Sequence, residues 1–120
     1  METPLRVLGN RGESLAAEFL RRRGFKILAR QVHIGRMGEI DLICKYRGIL
    51  VFVEVKARTT AIHGTPEESV TPWKRERLRR AVQGYLARHR LAEVNYRVDV
   101  VAVDFAGPEP LIRHHEGVEL

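Results

Sequence analysis

Residues 38–56 read Gly-Glu-Ile-Asp-Leu-Ile-Cys-Lys-Tyr-Arg-Gly-Ile-Leu-Val-Phe-Val-Glu-Val-Lys, and this stretch decides the fold. Two apolar runs rich in Ile, Val and Phe flank a break that contains glycine, which predicts two paired antiparallel strands. The predicted turn is Arg47-Gly48. A two-residue loop at this position pairs Tyr46 with Ile49 and so sets the register of the whole hairpin.

The two faces of this hairpin differ in character, because side chains alternate between the faces of a strand. One face is apolar throughout and carries Ile40, Leu42, Cys44, Tyr46, Ile49, Val51, Val53 and Val55. The other face is apolar near the turn and charged at the open end, with Ile43, Leu50 and Phe52 followed by Glu39, Asp41, Glu54 and Lys56. We therefore expect a sheet that is covered on both faces, with a polar pocket at its end.

Counting outward from the turn places Asp41 opposite Glu54 and Glu39 opposite Lys56. Two like charges in directly opposed positions destabilise a sheet, and burial increases the repulsion. A divalent cation between Asp41 and Glu54 would offset it, and carboxylate oxygens suit magnesium or manganese.

Two alternatives stay open at this point. A one-residue slip in register would send Asp41 to the opposite face from Glu54, whereas a slip of two would keep them together. The charges could also form a solvated cluster that Lys56 and an arginine neutralise. The metal site is favoured because the charges interrupt two apolar strands at matching positions.

The composition predicts one basic domain. A chain of 120 residues can bury a single core, so we expect one domain over residues 1–120, with loose ends at about 1–9 and 116–120. The formal charge of +6 favours a nucleic-acid partner, although anionic membranes are also compatible with it. No segment predicts a membrane span or a signal peptide, and the single Cys44 reads as a buried thiol of a cytoplasmic protein.

The first helix is predicted to start at Asn10 as N-cap and to end at Gly24. Its apolar stripe consists of Leu15, Ala16, Phe19 and Leu20. Glu13 has two interpretations, a capping glutamate and a third carboxylate that reaches the polar pocket, and the sequence alone favours the first.

The remaining elements follow from local patterns. Residues 25–32 predict a strand, 67–70 a helical turn, 95–105 a strand whose Asp99 could pair with Arg58 or Lys56, and 111–115 an edge strand. Residues 57–66 are a connection without a clear period, and they are a candidate flap in which His63 could serve as a base.

The second helix is predicted to begin with Thr71 as N-cap and Pro72 at its first position, and to run to about Arg90. Its apolar face comprises Leu78, Val82, Tyr85, Leu86 and His89. The rest of its surface is crowded with Lys74, Arg75, Arg77, Arg79, Arg80, Arg88 and Arg90, which could follow a phosphate backbone or simply be solvated. Trp73 could stack on a base or pack on the core.

The spacing of Asp41, twelve intervening residues and then Glu54-Val55-Lys56 resembles the PD-(D/E)xK nuclease superfamily. More closely, several motifs look like the YraN-type family of small bacterial proteins: Gly12-Glu13, residues 38–43, residues 52–58, Ser69-Val70-Thr71 with Lys74, and residues 97–101. The resemblance spans about Gly12 to Phe105. It departs from the expected pattern at Ile40, where the superfamily's name has proline, and at Gln31, where an asparagine is expected.

The resemblance implies an α/β fold with a restriction-endonuclease-like core, in which helices flank a central mixed sheet in the order α-β-β-β-α-β. It further implies Asp41 and Glu54 as metal ligands with the Val55 carbonyl, Lys56 as the residue that orients or deprotonates the attacking water, and a catalytic role for Glu13. The implied cofactor is magnesium or manganese.

The resulting hypothesis is a metal-dependent endonuclease that acts on DNA rather than RNA, with branched or structured DNA as one option. Arg58, Lys74, Arg75 and Arg77 are the expected nucleic-acid contacts. A junction-cutting enzyme would favour a homodimer by analogy. The rival hypotheses are a nucleic-acid-binding module on the same fold that does no chemistry, and a protein-interaction domain with an incidental basic surface.

Overall fold

A computed structural model describes residues 3–59 and 64–120, which form one five-stranded sheet with a helix on each face. The elements in chain order are α1 (Pro4–Arg22), β1 (Lys26–His33), β2 (Glu39–Tyr46), β3 (Ile49–Arg58), a short 3-10 helix (Pro66–Ser69), α2 (Pro72–Arg88), β4 (Tyr96–Asp104) and β5 (Leu111–His115). The predicted α/β class with a restriction-endonuclease-like core is confirmed, and β5 supplies the expected edge strand. No described helix is long and apolar enough to cross a membrane.

The strands lie in the order β1-β2-β3-β4-β5. Neighbours are antiparallel except β3 and β4, which are parallel. Parallel strands need a long crossover, and here the chain between β3 and β4 supplies it with α2. The sheet is therefore mixed, and the hairpin of β2 and β3 occupies its middle.

The hairpin has the predicted register near its turn, but the predicted pairings of Asp41 with Glu54 and of Glu39 with Lys56 are not part of the ladder, which ends at Leu42 and Val53. Tyr46 pairs with Ile49, and regular pairing continues from there to Leu42 opposite Val53. Arg47 and Gly48 both have positive φ, at 50° and 79°, as a type I′ turn requires. This turn matches the natural twist of the two strands, so the local sequence fixes the register on which the acidic positions depend.

Two apolar layers cover the two faces of the sheet, as expected. The α1 layer includes Ala16, Ala17, Leu20, Leu42, Cys44, Val51, Val53, Val101 and Val103. The α2 layer includes Ile43, Leu50, Phe52, Leu78, Val82, Leu86 and Val98. Cys44 is fully buried, as predicted.

One assignment of a face is wrong. Ile40 was predicted to share the α1 layer with Leu42, but it packs in the α2 layer with Ile43. The neighbouring strand shows the reason, because Gln31 adopts a left-handed φ of 49° between the paired positions Arg30–Leu42 and Val32–Ile40. This irregularity interrupts the alternation of both strands, and it leaves Asp41 at the point where the alternation changes.

The start of α1 also differs from the prediction. The helix begins at Pro4 with Thr3 as N-cap, whose hydroxyl accepts from the Arg6 N–H at 3.2 Å, so the Asn10 cap is wrong. Residues 4–9 are helical rather than loose. Glu13 consequently lies within the helix and cannot cap it.

Helix α2 follows the prediction. Pro72 takes the first helical position, and the Thr71 hydroxyl accepts from the Lys74 N–H at 3.3 Å. Leu78, Val82 and Leu86 are buried against the sheet. Because this cap fixes the start of the helix, it also fixes where Trp73 and Lys74 project.

Strand β4 carries a buried carboxylate away from the polar pocket. Asp99 is fully buried and accepts from Arg97 Nε at 3.0 Å, with His114 Nε2 at 2.8 Å. The suggested pairing of Asp99 with Arg58 or Lys56 is therefore wrong, because the residue faces β5 and the end of the chain. Of the candidate flap, residues 60–63, including His63, lie outside the described residues.

Candidate functional site

The β2 and β3 strands separate where the acidic residues begin. Their last paired positions are Leu42 and Val53, and beyond this point the Asp41 Oδ2 accepts from the Val55 N–H at 2.8 Å. The Asp41 side chain thus takes over a hydrogen bond that the partner backbone would otherwise make. The Asp41 carboxylate therefore lies between β2 and β3. Continued backbone hydrogen bonding between the two strands would leave no room for it there.

Glu54 and Lys56 lie on β3 on the same side of the sheet as Phe52, as the alternation predicts. Lys56 Nζ is 3.2 Å from Glu54 Oε1, and the side chains are only 24% and 17% exposed. Asp41, Glu54 and Lys56 line one cavity of about 280 Å³ with Glu39, Trp73, Lys74 and Arg77. The structure therefore brings together the three residues that the sequence singled out at the hairpin's open end.

The protonation of both carboxylates is strongly perturbed. Burial, with the negative charge of Glu54 as second cause, raises the pKa of Asp41 to about 8. Burial also raises the pKa of Glu54, although the positive charge of Lys56 opposes this. Since burial dominates in both, these are not the solvated carboxylates of the alternative interpretation, even though Lys56 does pair with Glu54.

The donor atoms fit a hard divalent cation. In an extended strand the N–H and C=O of one residue point to the same side, so the Val55 carbonyl faces Asp41 as its N–H does. Two carboxylates and a carbonyl are oxygen ligands of the kind that magnesium and manganese prefer. Residues 3–59 and 64–120 contain no group of three or more His, Cys, Asp or Glu arranged to hold a metal. With two carboxylates and one carbonyl as its protein ligands, a cation here would keep positions for water or a phosphate.

Glu13 is held beside this site rather than at a helix end. Its side chain is buried and accepts from Arg30 Nε at 3.1 Å and from Gln31 Nε2 at 3.3 Å. A second cavity, of about 420 Å³, is lined by both Glu13 and Asp41. Of the two interpretations of Glu13, the capping one is wrong, and the residue does reach the polar region around Asp41.

Gly12 allows Glu13 to reach that region. A Cβ at residue 12 would lie 2.8 Å from the Ala57 Cβ, closer than real Cβ atoms approach. The absence of a side chain lets α1 lie directly on β3 one residue beyond Lys56. Gly12 thus allows close packing of α1 on β3, and this packing places the adjacent Glu13 carboxylate near Asp41.

Three of the four predicted nucleic-acid contacts surround the acidic pair. Lys74 and Arg77 line the cavity that holds Asp41 and Glu54. Arg58 and Lys74 line an adjoining cavity of about 570 Å³ that Lys56 also borders. The positive charges of Lys56 and Arg58, together with burial, lower the pKa of Lys74, which is the mark of a close cationic cluster.

Arg75 is not part of this cluster. It lines a different cavity with Glu67, Val100 and His115. Farther along α2, Arg79 and Arg80 are occupied by Glu76, at 2.5 Å and 3.4 Å respectively. The helix surface is therefore not uniformly available, and the cations available to the site gather at its N-terminal end.

Sequence reasoning did not find the partners of Glu13. Arg30 and Gln31 lie on the edge strand β1, and nothing in their spacing relates them to a helix residue seventeen or eighteen positions earlier. A weak signal existed at Gln31, because an asparagine was expected there and asparagine tolerates the left-handed backbone that Gln31 adopts.

The model of the uncharacterised protein family UPF0102 matches residues 12–103 of this chain. The chain belongs to this family. The YraN-type resemblance drawn from the motifs is thereby confirmed. The match begins at Gly12 and ends within β4, so it contains Glu13, Asp41, Glu54, Lys56 and Lys74.

Relatives in other bacteria support the assignment to the family. A UPF0102 protein of Symbiobacterium thermophilum is 48% identical over 108 residues, which cover 90% of each chain. A UPF0102 protein of Anaeromyxobacter dehalogenans is 46% identical over 108 residues, covering 90% of this chain and 80% of the relative. A third, from Syntrophotalea carbinolica, is 43% identical over 110 residues, covering 92% and 89%. None of these names states an activity, so the function has to be argued from the site.

Proposed function

We propose that this UPF0102 protein is a metal-dependent nuclease that hydrolyses phosphodiester bonds in DNA, branched or structured DNA included. One observation carries the proposal. Asp41 and Glu54 lie half-buried at the opened end of two central strands, with Lys56 Nζ 3.2 Å from Glu54 Oε1. Perturbed acids beside a lysine in a cavity are typical of catalytic sites, and a polyanionic substrate would meet cations at the rim of this cavity.

The role of each residue follows from its position. A bound magnesium or manganese ion would polarise the phosphate and lower the pKa of a bound water molecule. Asp41, oriented through its hydrogen bond from the Val55 N–H, and Glu54 would hold that ion together with the Val55 carbonyl. Lys56 would orient the attacking water through its ammonium group, which already lies beside Glu54, and would take the water's proton only as the neutral amine.

Glu13 would act on the other side of Asp41. Its carboxylate is anchored by Arg30 and Gln31, and it borders the cavity into which Asp41 also opens. From that place it can hold a second water molecule or a substrate group. Lys74, Arg77 and Arg58 would contact the phosphate backbone without reading base sequence.

A cleavage assay tests this proposal. The native protein should cut labelled branched, single-stranded or duplex DNA in the presence of manganese or magnesium, and excess chelator should stop the reaction. Asp41→Asn, Glu54→Gln and Lys56→Met should each lose about a hundredfold or more of the rate, because each removes a group assigned to the reaction. Glu93→Gln, at an exposed glutamate in the turn between α2 and β4, is the matched control and should keep full activity.

Two results would contradict the proposal. Cleavage that persists in Asp41→Asn or in chelator would place the chemistry elsewhere. DNA binding that depends strongly on salt and survives in all three variants, with no cleavage by the native protein, would favour the non-catalytic binding module instead.

A further inference from the structure

Trp73 stands at the mouth of the acidic cavity and is largely exposed to solvent. It is the second residue of α2, and 65% of its surface is accessible. It lines the same cavity as Asp41, Glu54 and Lys56. Trp73 is the chain's single tryptophan, and it is not buried in either apolar layer. Tryptophan is usually highly buried, so an exposed indole at this place calls for a functional explanation.

The indole is held in place by its surroundings. The Thr71 cap and Pro72 fix the start of the helix from which Trp73 projects. The guanidinium carbon of Arg77, one turn along, lies 5.1 Å from the centroid of the ring. Arg77 also approaches the backbone near Gly38, so it links the indole to the loop before β2. The contact with Arg77 restricts the ring, and a restricted ring loses less entropy when a flat ligand stacks on it.

We propose that Trp73 stacks on an unpaired nucleobase next to the phosphodiester held at Asp41 and Glu54. This inference rests on the proposed function and makes it more specific. The substrate would carry a single-stranded nucleotide at or beside the cut, as a flap, a fork or an open junction does. A base inside a continuous duplex is already stacked on both faces and cannot offer one to the indole.

The charges beside Trp73 support a nucleotide as the ligand. Lys74 follows it directly, Arg77 packs on it, and Arg58 borders the adjoining cavity with Lys74. Binding of single strands combines cations that follow the backbone with aromatic rings that stack on bases. An uncharged apolar ligand would gain nothing from these cations, and an acidic peptide would offer no flat ring to the indole.

The single tryptophan makes the test direct. Because Trp73 is the only indole in the chain, the intrinsic tryptophan fluorescence of the native protein reports on this residue alone. Titration with oligothymidylate in chelator should quench this fluorescence in a saturable way. A blunt-ended linear duplex with the same number of phosphates has no unpaired base and should bind with little quenching. Chelator prevents cleavage, so the measurement does not depend on catalysis.

Variants give a second readout through the fluorescence anisotropy of labelled DNA. Trp73→Ala should weaken binding of the single strand about fivefold to 150-fold, the range expected for one lost stacking contact, and should change duplex binding little. Trp73→Tyr should recover most of the loss, since its ring can also stack. Leu111→Ala removes an exposed apolar side chain of the edge strand β5 that does not line the cavity, and it should have no effect.

The outcomes separate this inference from the proposed nuclease activity. Binding of the single strand without quenching, equal losses on both DNA forms in Trp73→Ala, or no DNA binding at all would overturn the stacking role. Quenching without cleavage under any metal condition would leave the stacking role standing and overturn the nuclease. Cleavage that needs Asp41 but proceeds normally in Trp73→Ala would support the nuclease and overturn the stacking role.

Discussion

Replacing Asp41 with asparagine should stabilise the metal-free protein while it removes a metal ligand. Burial and the charge of Glu54 raise the pKa of Asp41 from 3.8 to about 8. A raised carboxyl pKa means that the folded state keeps its proton after the unfolded chain has lost it. Folding is then opposed increasingly as the pH rises from the unfolded pKa towards the folded one, and the penalty is constant above the folded value. The asparagine side chain of the variant cannot ionise, and its oxygen can still accept from the Val55 N–H.

The size of the effect follows from the shift. Each pH unit between the two pKa values is worth about 1.4 kcal/mol, so the native chain should lose about 4 kcal/mol of stability by about pH 7 relative to acid conditions. This is an upper value, because Glu54 is perturbed as well and shares the repulsion. Even half of it would be a large fraction of the stability of a domain of this size.

Urea unfolding of both proteins in chelator from about pH 5 to about pH 9 measures this difference. We expect Asp41→Asn to have the larger free energy of unfolding. Its advantage over the native chain should increase with pH up to about 8 and then stay constant. Titrating groups that do not interact with Asp41 cancel in the difference, whereas Glu54, which does, contributes to it. Added manganese should stabilise the native protein and not the variant. A difference that does not change with pH, or a variant that is less stable throughout, would show that Asp41 is an ordinary ionised side chain whose pKa is not raised.

Three further predictions concern packing, an ion pair and the basic rim. Gly12→Ala should cost about 1–3 kcal/mol in urea unfolding, because its Cβ would lie 2.8 Å from that of Ala57, whereas Gly9→Ala, where nothing lies within 4 Å, should be neutral or stabilising. The hydrogen bond from Arg113 lowers the pKa of Glu67 from 4.5 to about 2, so the ionised Glu67 stabilises the fold above pH 4.5. This stabilisation should be lost as the pH falls from 4.5 towards 2. Thermal unfolding of Glu67→Gln should not show this loss. Lys74→Ala should reduce the slope of log affinity for DNA against log salt by about one, as measured by fluorescence anisotropy. Arg88→Ala, at the other end of α2, should leave the slope unchanged if only the cations around the cavity contact phosphate.

The hairpin and its register could be predicted because the information is local. The Arg47-Gly48 turn selects one pairing, and the alternation of side chains then places Glu54 and Lys56 on one face. The caps of α2 are equally local, since Thr71 and Pro72 act on the adjacent turn. Where a residue determines the conformation of the adjacent turn, the sequence alone was sufficient to predict the element.

The rest depends on contacts between distant residues. The capping role of Glu13 was plausible locally, but the helix starts earlier at Pro4, and the partner of Glu13 is Arg30 on an edge strand. Ile40 lies in the α2 layer because a left-handed residue at position 31 in the neighbouring strand breaks the alternation. No periodicity in a single strand contains that information. The opening between β2 and β3 was not foreseen for the same reason, since it appears only once three strands are assembled.

We expect Asp41 and Glu54 together to hold one divalent cation. Titration calorimetry with manganese at about pH 8, on the native chain, Glu54→Gln and the control Glu93→Gln, with and without an uncleavable oligonucleotide, tests it most directly. Manganese should bind at one site in the native chain and in the control, should not bind there in Glu54→Gln, and should bind more tightly when the oligonucleotide is present. Manganese binding by the native chain that is no stronger than that of Glu54→Gln, even with the oligonucleotide present, would contradict this expectation.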